Sequence, residues 1–292
     1  MTQLAVDIGG SKIRLTVFDA FVPLFSESVP TGLLRRGTPK FADDLAGLLR
    51  CHRVTSHDHL GLTLNGILRG GHVEYSSLMG GRVDFPLQSF LVEQFAIPTS
   101  VDDDLHAQAS AEAKFGLGRD YPTIAILNLG TGIGAVLADR QQVVRGQFAA
   151  GLISEQQVWV DSFQELRSLD RTVCGRGLKE MYAKLTGETI EAVTVFRRWH
   201  DNDPAARKIV EVFAHTLGET LQMISRFYHP EAIAIHGSIA RSWAVYEEAA
   251  LQAYHDGLEQ VFWAKTVQCS ELEYAAELGV LSREAASLED IP

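Results

Sequence analysis

Two short stretches carry the residue types that can hold phosphate. Asp7-Ile8-Gly9-Gly10-Ser11-Lys12 and Gly130-Thr131-Gly132-Ile133-Gly134 lie in two similar sequences, with Gly9 and Gly130 at the matching place. Glycines let backbone N–H groups approach phosphate oxygens with no Cβ in the way, and a hydroxyl and an ammonium add to the grip. Asp7 reads either as a cap on its own turn or as an organiser of phosphate-bound Mg²⁺ through water. Lys12 alone is an ordinary solvated charge and Thr131 an ordinary turn hydroxyl; the repeated glycine turn favours phosphate for both. A third stretch, Asp102-Asp103-Asp104, holds three carboxylates, one of which could accept the proton of an attacking hydroxyl. Its plainer reading is a solvated acidic turn with one helix cap.

Each glycine turn is flanked on both sides by β-branched, alternating residues, Leu4–Ile8 and Ile13–Asp19 for the first, Ile124–Leu129 and Ile133–Asp139 for the second. Strand, turn, strand is therefore expected twice, whereas a dinucleotide fold or P-loop requires a helix directly after the turn. The repeated opening predicts an α/β protein of two halves with a cleft between them, where ligands commonly bind. Residues 24–28, 59–64, 98–101 and 230–236 read as further strands. Residues 41–50, 87–95, 105–115, 175–185, 190–200 and 205–228 carry helical periodicity. Gly66, Gly70-Gly71 and Gly80-Gly81 mark a loop-rich stretch between them. Asp104 then follows a strand and opens a helix, whose dipole favours the ionised carboxylate.

With 292 residues, 46% of them hydrophobic, the chain can bury one large or two modest cores. A net charge of −11 disfavours nucleic acid and anionic membrane as partners and leaves a small molecule as the expected ligand. There is no apolar run of spanning length, and Met1-Thr2-Gln3 leads directly into a strand, so a cytoplasmic location is expected. Cys51, Cys174 and Cys269 form no CxxC pair and are expected as reduced, buried hydrophobes. His52, His57, His59 and His72 have no ligand spacing and read as surface residues. Trp159, Trp199, Trp243 and Trp263 read as core or interface, and Arg35-Arg36 as part of a mobile loop.

Beyond these readings, four segments in order resemble the ROK family of sugar kinases, nearly end to end. They are the two glycine turns, Val101-Asp102-Asp103-Asp104-Leu105-His106-Ala107, and His229 to Ser238, where His236 replaces a usual glycine. The resemblance implies a two-domain actin/hexokinase-like (ribonuclease H-like) fold, with a small domain at 1–107, a large domain at 108–276 and a C-terminal helix, about 277–292, packing back on the first. It implies ATP with Mg²⁺, Asp104 as catalytic base, and nucleotide contacts from Asp7, Gly9, Gly10, Ser11, Lys12, Gly130, Thr131, Gly132 and Gly237. It also implies a homodimer.

The acceptor side departs from the family pattern. Ala150-Gly151-Leu152-Ile153-Ser154-Glu155 lacks the family's sugar-holding glutamate and zinc-binding histidine, and residues 156–168 contain no cysteine or histidine, so no structural zinc is expected. Asp103 stands where the family has an asparagine, placing a second carboxylate beside the base and raising the pair's proton affinity. Asp170 falls on a sugar-contacting glutamate, or is a helix-start aspartate; Glu155 is a replacement acceptor or a solvated loop charge. Ser77 lies near a sugar-binding asparagine, and Asn65-Gly66 faces sugar or simply turns the chain.

The resemblance implies transfer to the 6-hydroxyl of a hexose or N-acetylated amino sugar. A lean to N-acetylmannosamine comes from Gly80-Gly81-Arg82-Val83-Asp84-Phe85-Pro86-Leu87. Glucokinase, fructokinase and β-glucoside kinase activities stand as alternatives, and a catalytically weak sugar or nucleotide sensor as one of another class. Family members that bind DNA carry an added winged helix absent from these 292 residues, so DNA binding is not expected.

Overall fold

The computed structural model describes residues 2–283. Their backbone divides into two units: residues 2–115, 145–150 and 272–283, and residues 116–144 and 151–271. The part of the expected C-terminal helix beyond residue 283 lies outside the described residues.

The first unit opens with β1 (Thr2–Ile8), β2 (Lys12–Asp19) and β3 (Val22–Pro30), followed by α1 (Lys40–Cys51) and β4 (His59–Leu64). Next come β5 (Ile67–Arg69), β6 (His72–Ser76), β7 (Gly81–Phe85), α2 (Leu87–Phe95), β8 (Thr99–Asp102) and α3 (Asp104–Phe115). The main sheet has the order β3-β2-β1-β4-β8, in which β1, β4 and β8 are parallel and β2 is antiparallel to both its neighbours, so that β3 runs with the rest. β4 is buried from Leu60 to Leu64, as its central parallel place requires: three leucines alternate with the small Gly61 and Thr63. Gly66, Gly70-Gly71 and Gly80-Gly81 do not make a loop-rich stretch alone. They separate β5, β6 and β7, a small antiparallel sheet whose three-to-five-residue strands are too short for alternation to declare them.

The second unit repeats the scheme. β9 (Thr123–Leu129), β10 (Ile133–Asp139) and β11 (Gln142–Val143) lead to the hairpin of β12 (Gln157–Val160) and β13 (Glu165–Ser168). Helices α4 (Gly175–Thr186), α5 (Ala192–His200) and α6 (Pro204–Tyr228) follow, then β14 (Ala232–His236), α7 (Trp243–Asp256) and β15 (Thr266–Cys269). Its sheet order is β11-β10-β9-β14-β15, with β9, β14 and β15 parallel. α6 begins where Asp203 accepts the Ala206 N–H at 2.8 Å and Pro204 supplies a fixed φ at the first position. Its buried face joins Tyr182, Phe196 and Tyr246 around Phe213, whose ring lies 4.9 Å from that of Tyr246 in an edge-on arrangement.

The chain then returns to the first unit with α8 (Ala275–Leu281). Phe41, Leu45 and Leu49 of α1 and Leu87 and Leu91 of α2 pack on one sheet face. α8 covers β4 at Gly61, where an added Cβ would lie 2.8 Å from both Val280 and Leu281 side chains. α8 also approaches α3 closely enough that a Cβ on Gly279 would fall 1.7 Å from the Ala107 carbonyl oxygen. The alanines of α3 permit that approach.

Several minor expectations change. Cys51 is exposed, Cys269 partly buried and Cys174 buried. The four histidines are partly buried and partnered: His52 with Glu27, His57 with Thr2, His59 with Ser100 and His72 with Asp84. Trp159 is half exposed, its indole N–H donating to Asp161, whereas Trp199, Trp243 and Trp263 pack against the core. Arg35 is fixed through its backbone N–H and guanidinium to Asp44. Among the described residues no helix is long and apolar enough to cross a membrane.

Candidate active site

Because β1, β4 and β8 run parallel, their C-terminal ends meet at one edge of the first unit's sheet, the place where open α/β sheets bind ligands. That edge brings together the Gly9 turn, Asn65 and the three aspartates. The turn between β1 and β2 closes by a hydrogen bond from the Gly9 N–H to the Lys12 carbonyl at 3.0 Å. Thr31 braces it, its hydroxyl donating to Gly9 O at 2.7 Å and its N–H to Ser11 O at 3.1 Å. Gly10, Ser11 and Lys12 are exposed at its tip.

Asp7 lies opposite Arg14 in the hairpin register. One Asp7 oxygen accepts the Thr63 hydroxyl at 2.8 Å, and the other lies 3.9 Å from the Arg14 guanidinium. Arg14 is held in turn by Glu277 of α8, which is fully buried, and its guanidinium stacks 5.2 Å from the Tyr274 ring centre. Burial pushes the Glu277 carboxyl up, and Arg14 opposes it. Asp7 therefore keeps acceptor capacity at the turn while fixed from behind.

The three adjacent aspartates have three different environments. Asp102 is buried and takes a two-pronged contact from Arg145 at 2.6 and 2.9 Å and another from Arg283 at 2.5 Å. Asp103 is buried and caps α3: its carboxylate accepts the His106 N–H at 2.8 Å, and the His106 ring Nδ1 lies 2.8 and 2.9 Å from its two oxygens. Asp104 is the first residue of α3, and among the described residues no side chain is bonded to its carboxylate. Its pKa is pushed up to about 7, by burial first and then by Asp103 and Asp7, against the opposing pull of the α3 amides. The helix dipole was expected to favour ionisation; desolvation outweighs it here.

Asn65 and Ser77 are both exposed, at neighbouring ends of β4 and β6, tied by the Ser76 hydroxyl donating to Asn65 O at 2.9 Å. Gly66 is needed there, since a Cβ would lie 2.3 Å from the Tyr75 carbonyl oxygen.

In the second unit, the Gly130–Gly132 turn and Gly237 share the edge formed by the ends of β9 and β14. Gly237 has a φ of +98°, and an added Cβ would meet Leu129 O at 2.3 Å. The N-terminus of α4 seats on the turn, with the Gly175 N–H donating to Gly130 O at 2.9 Å and the Cys174 thiol to Thr131 O at 3.0 Å. A cavity of about 890 Å³ opens here, walled by the turn, α4, α5 and residues 238–242. Arg176, Lys179, Phe196 and Arg241 line it. Sequence reasoning singled out none of the four. Only the position of Arg176, at the start of a helix behind a glycine turn, signalled its place.

Asp170 is not the cap of α4; it is buried in a tight turn five residues earlier, ion-paired with Arg176. Its oxygen lies 2.8 Å from where a Cβ on Gly132 would stand. Burial raises its pKa, Arg176 lowers it, and Glu155 raises it again. Glu155 is an exposed loop residue, near enough to Asp170 to act on it electrostatically. Residues 156–168 form the β12–β13 hairpin, fixed by Glu165 to Arg167 and to Lys184, each at 2.6 Å. Among the described residues no three His, Cys, Asp or Glu side chains converge as a metal cage.

A sequence profile described as the ROK family matches residues 3–282. The chain is 27% identical over 171 residues to a beta-glucoside kinase from Klebsiella pneumoniae, covering 55% of this chain and 58% of that protein. It is 24% identical over 264 residues to an N-acetyl-D-glucosamine kinase from Pectobacterium atrosepticum, covering 82% and 85%. A crystal structure of a ROK hexokinase from Thermus thermophilus superimposes with a TM-score of 0.77 at 26% identity, over 96% of each chain.

Proposed function

The chain belongs to the ROK family and is a sugar kinase of actin/hexokinase-like fold, and on that premise we propose that it transfers the γ-phosphoryl group of ATP to the 6-hydroxyl of a hexose or N-acetylated amino sugar. The observation that carries this reading is Asp104, a carboxylate at the ligand-binding edge of a parallel sheet with its pKa pushed up to about 7. A base of that strength takes the hydroxyl proton as the oxygen attacks and is regenerated near neutral pH.

In this reading Gly9, Gly10, Ser11 and Lys12 in the first unit and Gly130, Thr131 and Gly132 in the second hold the donor phosphates. The cavity behind the second turn and Gly237 takes the nucleoside. Asp7 fits a water-mediated contact to the nucleotide's Mg²⁺, since its carboxylate has one hydroxyl donor and one long contact to Arg14. That ion supplies charge neutralisation on the phosphates. Asn65, Gly66 and Ser77 join Asp103 on the acceptor side, with Glu155 as a further hydroxyl acceptor, while Asp170 answers Arg176 beside the Gly132 turn. Asp103 keeps part of its accepting capacity while capping α3. Among acceptors N-acetylmannosamine is favoured by residues 80–87, with glucose, fructose and β-glucosides behind it. We further propose a homodimer, testable by light scattering, and a cytoplasmic location, testable by cell fractionation.

The deciding experiment is ADP release with ATP and Mg²⁺ across N-acetylmannosamine, N-acetylglucosamine, glucose, mannose, fructose and a β-glucoside, with Asp104→Asn as control. Turnover on one sugar, lost in the control, supports the reading and names the acceptor. Binding of ATP with silence across the panel would favour an acceptor outside it or the sensor alternative.

A further inference from the structure

Asp170 places a buried carboxylate in van der Waals reach of Gly132, in the turn that the kinase reading assigns to donor phosphate. Glu155 and Glu180 lie near enough to push its pKa up, so the surroundings of that turn are negative. An uncompensated anion there repels a diphosphate through a poorly screened path. Two of the nearby cations are committed elsewhere: Lys179 pairs with Glu191 at 2.8 Å and Arg171 with Glu180 at 3.0 Å. Arg176 alone of these reaches Asp170. Its backbone is set against the turn through Thr131 O, and its half-exposed guanidinium lines the cavity.

Resting on the kinase reading, we propose that Arg176 is a donor-binding residue that works by neutralising Asp170 beside the phosphate turn. Its guanidinium satisfies the Asp170 carboxylate on one side and presents its remaining N–H groups to the cavity on the other, as its planar five-donor fork allows. The proposal therefore assigns to the Arg176–Asp170 pair a dependence on donor phosphate that a surface ion pair does not have.

Calorimetric binding of ADP and of adenosine to the full chain tests this, using wild type, R176A, D170N and the double variant, with a thermal melt of each to confirm folding. R176A is expected to weaken ADP about tenfold or more and to leave adenosine within about twofold. Adding D170N to R176A is expected to regain most of the loss, because the anion that repels phosphate is gone. ADP affinity indifferent to R176A overturns the proposal, as does a double variant no better than R176A. Equal losses for ADP and adenosine also overturn it, because they show a damaged cavity wall. A wild-type chain that phosphorylates sugar with any of these results leaves the kinase reading standing; a wild-type chain that binds no ADP overturns both.

Discussion

His106 and Asp103 close on each other twice: the His106 N–H donates to the Asp103 carboxylate at 2.8 Å, and the His106 ring nitrogen returns to it at 2.8 Å. The first bond is a side-chain N-cap, and it fixes the first turn of α3, where Asp104 begins; the histidine ring holds the cap's carboxylate, while the Asp103 N–H donates to Asp102 at 3.0 Å. Removal of the cap by Asp103→Ala is expected to cost about 1–2 kcal/mol in a denaturant titration. Asp103→Asn, which keeps an oxygen for the His106 N–H, is expected to lose less.

Asp104→Asn is expected to lower kcat by about 10²–10⁴-fold with ADP binding largely retained. In the wild type kcat/KM should fall as pH drops through about 7, where Asp104 takes its proton. Stability should move the opposite way. A carboxyl with a pKa raised on folding binds more protons in the native state, so its ionisation opposes folding. The contribution of Asp104 to stability should therefore decline as pH rises from about 4 to about 7, read as the difference between wild type and Asp104→Asn. Asp104→Asn should remove that slope and melt higher than wild type at pH 8, which paired thermal melts at the two ends of the range would show.

Glu277 is fully buried and its charge is answered by Arg14. Arg14→Ala is expected to destabilise by about 3–5 kcal/mol, because it strands a buried carboxylate behind Asp7 and the first glycine turn. Arg14→Met with Glu277→Leu should recover much of that loss. A single variant as stable as wild type in urea would contradict this account of the pair.

Gly279→Ala drives a methyl group into the Ala107 carbonyl, 1.7 Å from the ideal position. α8 must shift away from the helix that starts at Asp104. A loss of several kcal/mol is expected, at the upper end of overpacking effects, and kcat should fall with it. Chemical denaturation and initial rates on the same preparation would check both.

The two glycine turns, the strands beside them and the six helices read from periodicity were legible in the sequence because their signals are local. β12 and β13, and β5 to β7, were not, since strands of three to five residues carry too little pattern. Asp104 could be placed from the strand before it and the helix after it. What sets its pKa could not, because burial comes from long-range packing. The same holds for the two arginines on Asp102, which arrive from positions 145 and 283. It also holds for Arg176, whose partner Asp170 is six residues away in sequence but across a turn in space.

Residues 157–168 form a hairpin whose corner is fixed by ion pairs and by Phe163, over which the Arg167 and Lys184 cations lie at 5.6 and 5.4 Å. These contacts supply the cross-links that a small metal-bound loop would draw from zinc. A zinc-selective chelator is therefore expected to leave both the melting temperature and the turnover unchanged. EDTA in excess over Mg²⁺ should abolish turnover while the melting temperature of the nucleotide-free protein stays where it was. Glu165→Ala removes partners from Arg167 and Lys184 together. Because its carboxylate is solvent-screened, the melting temperature is expected to fall only slightly. A drop in melting temperature on zinc chelation would show that a metal, and not this network, holds the hairpin.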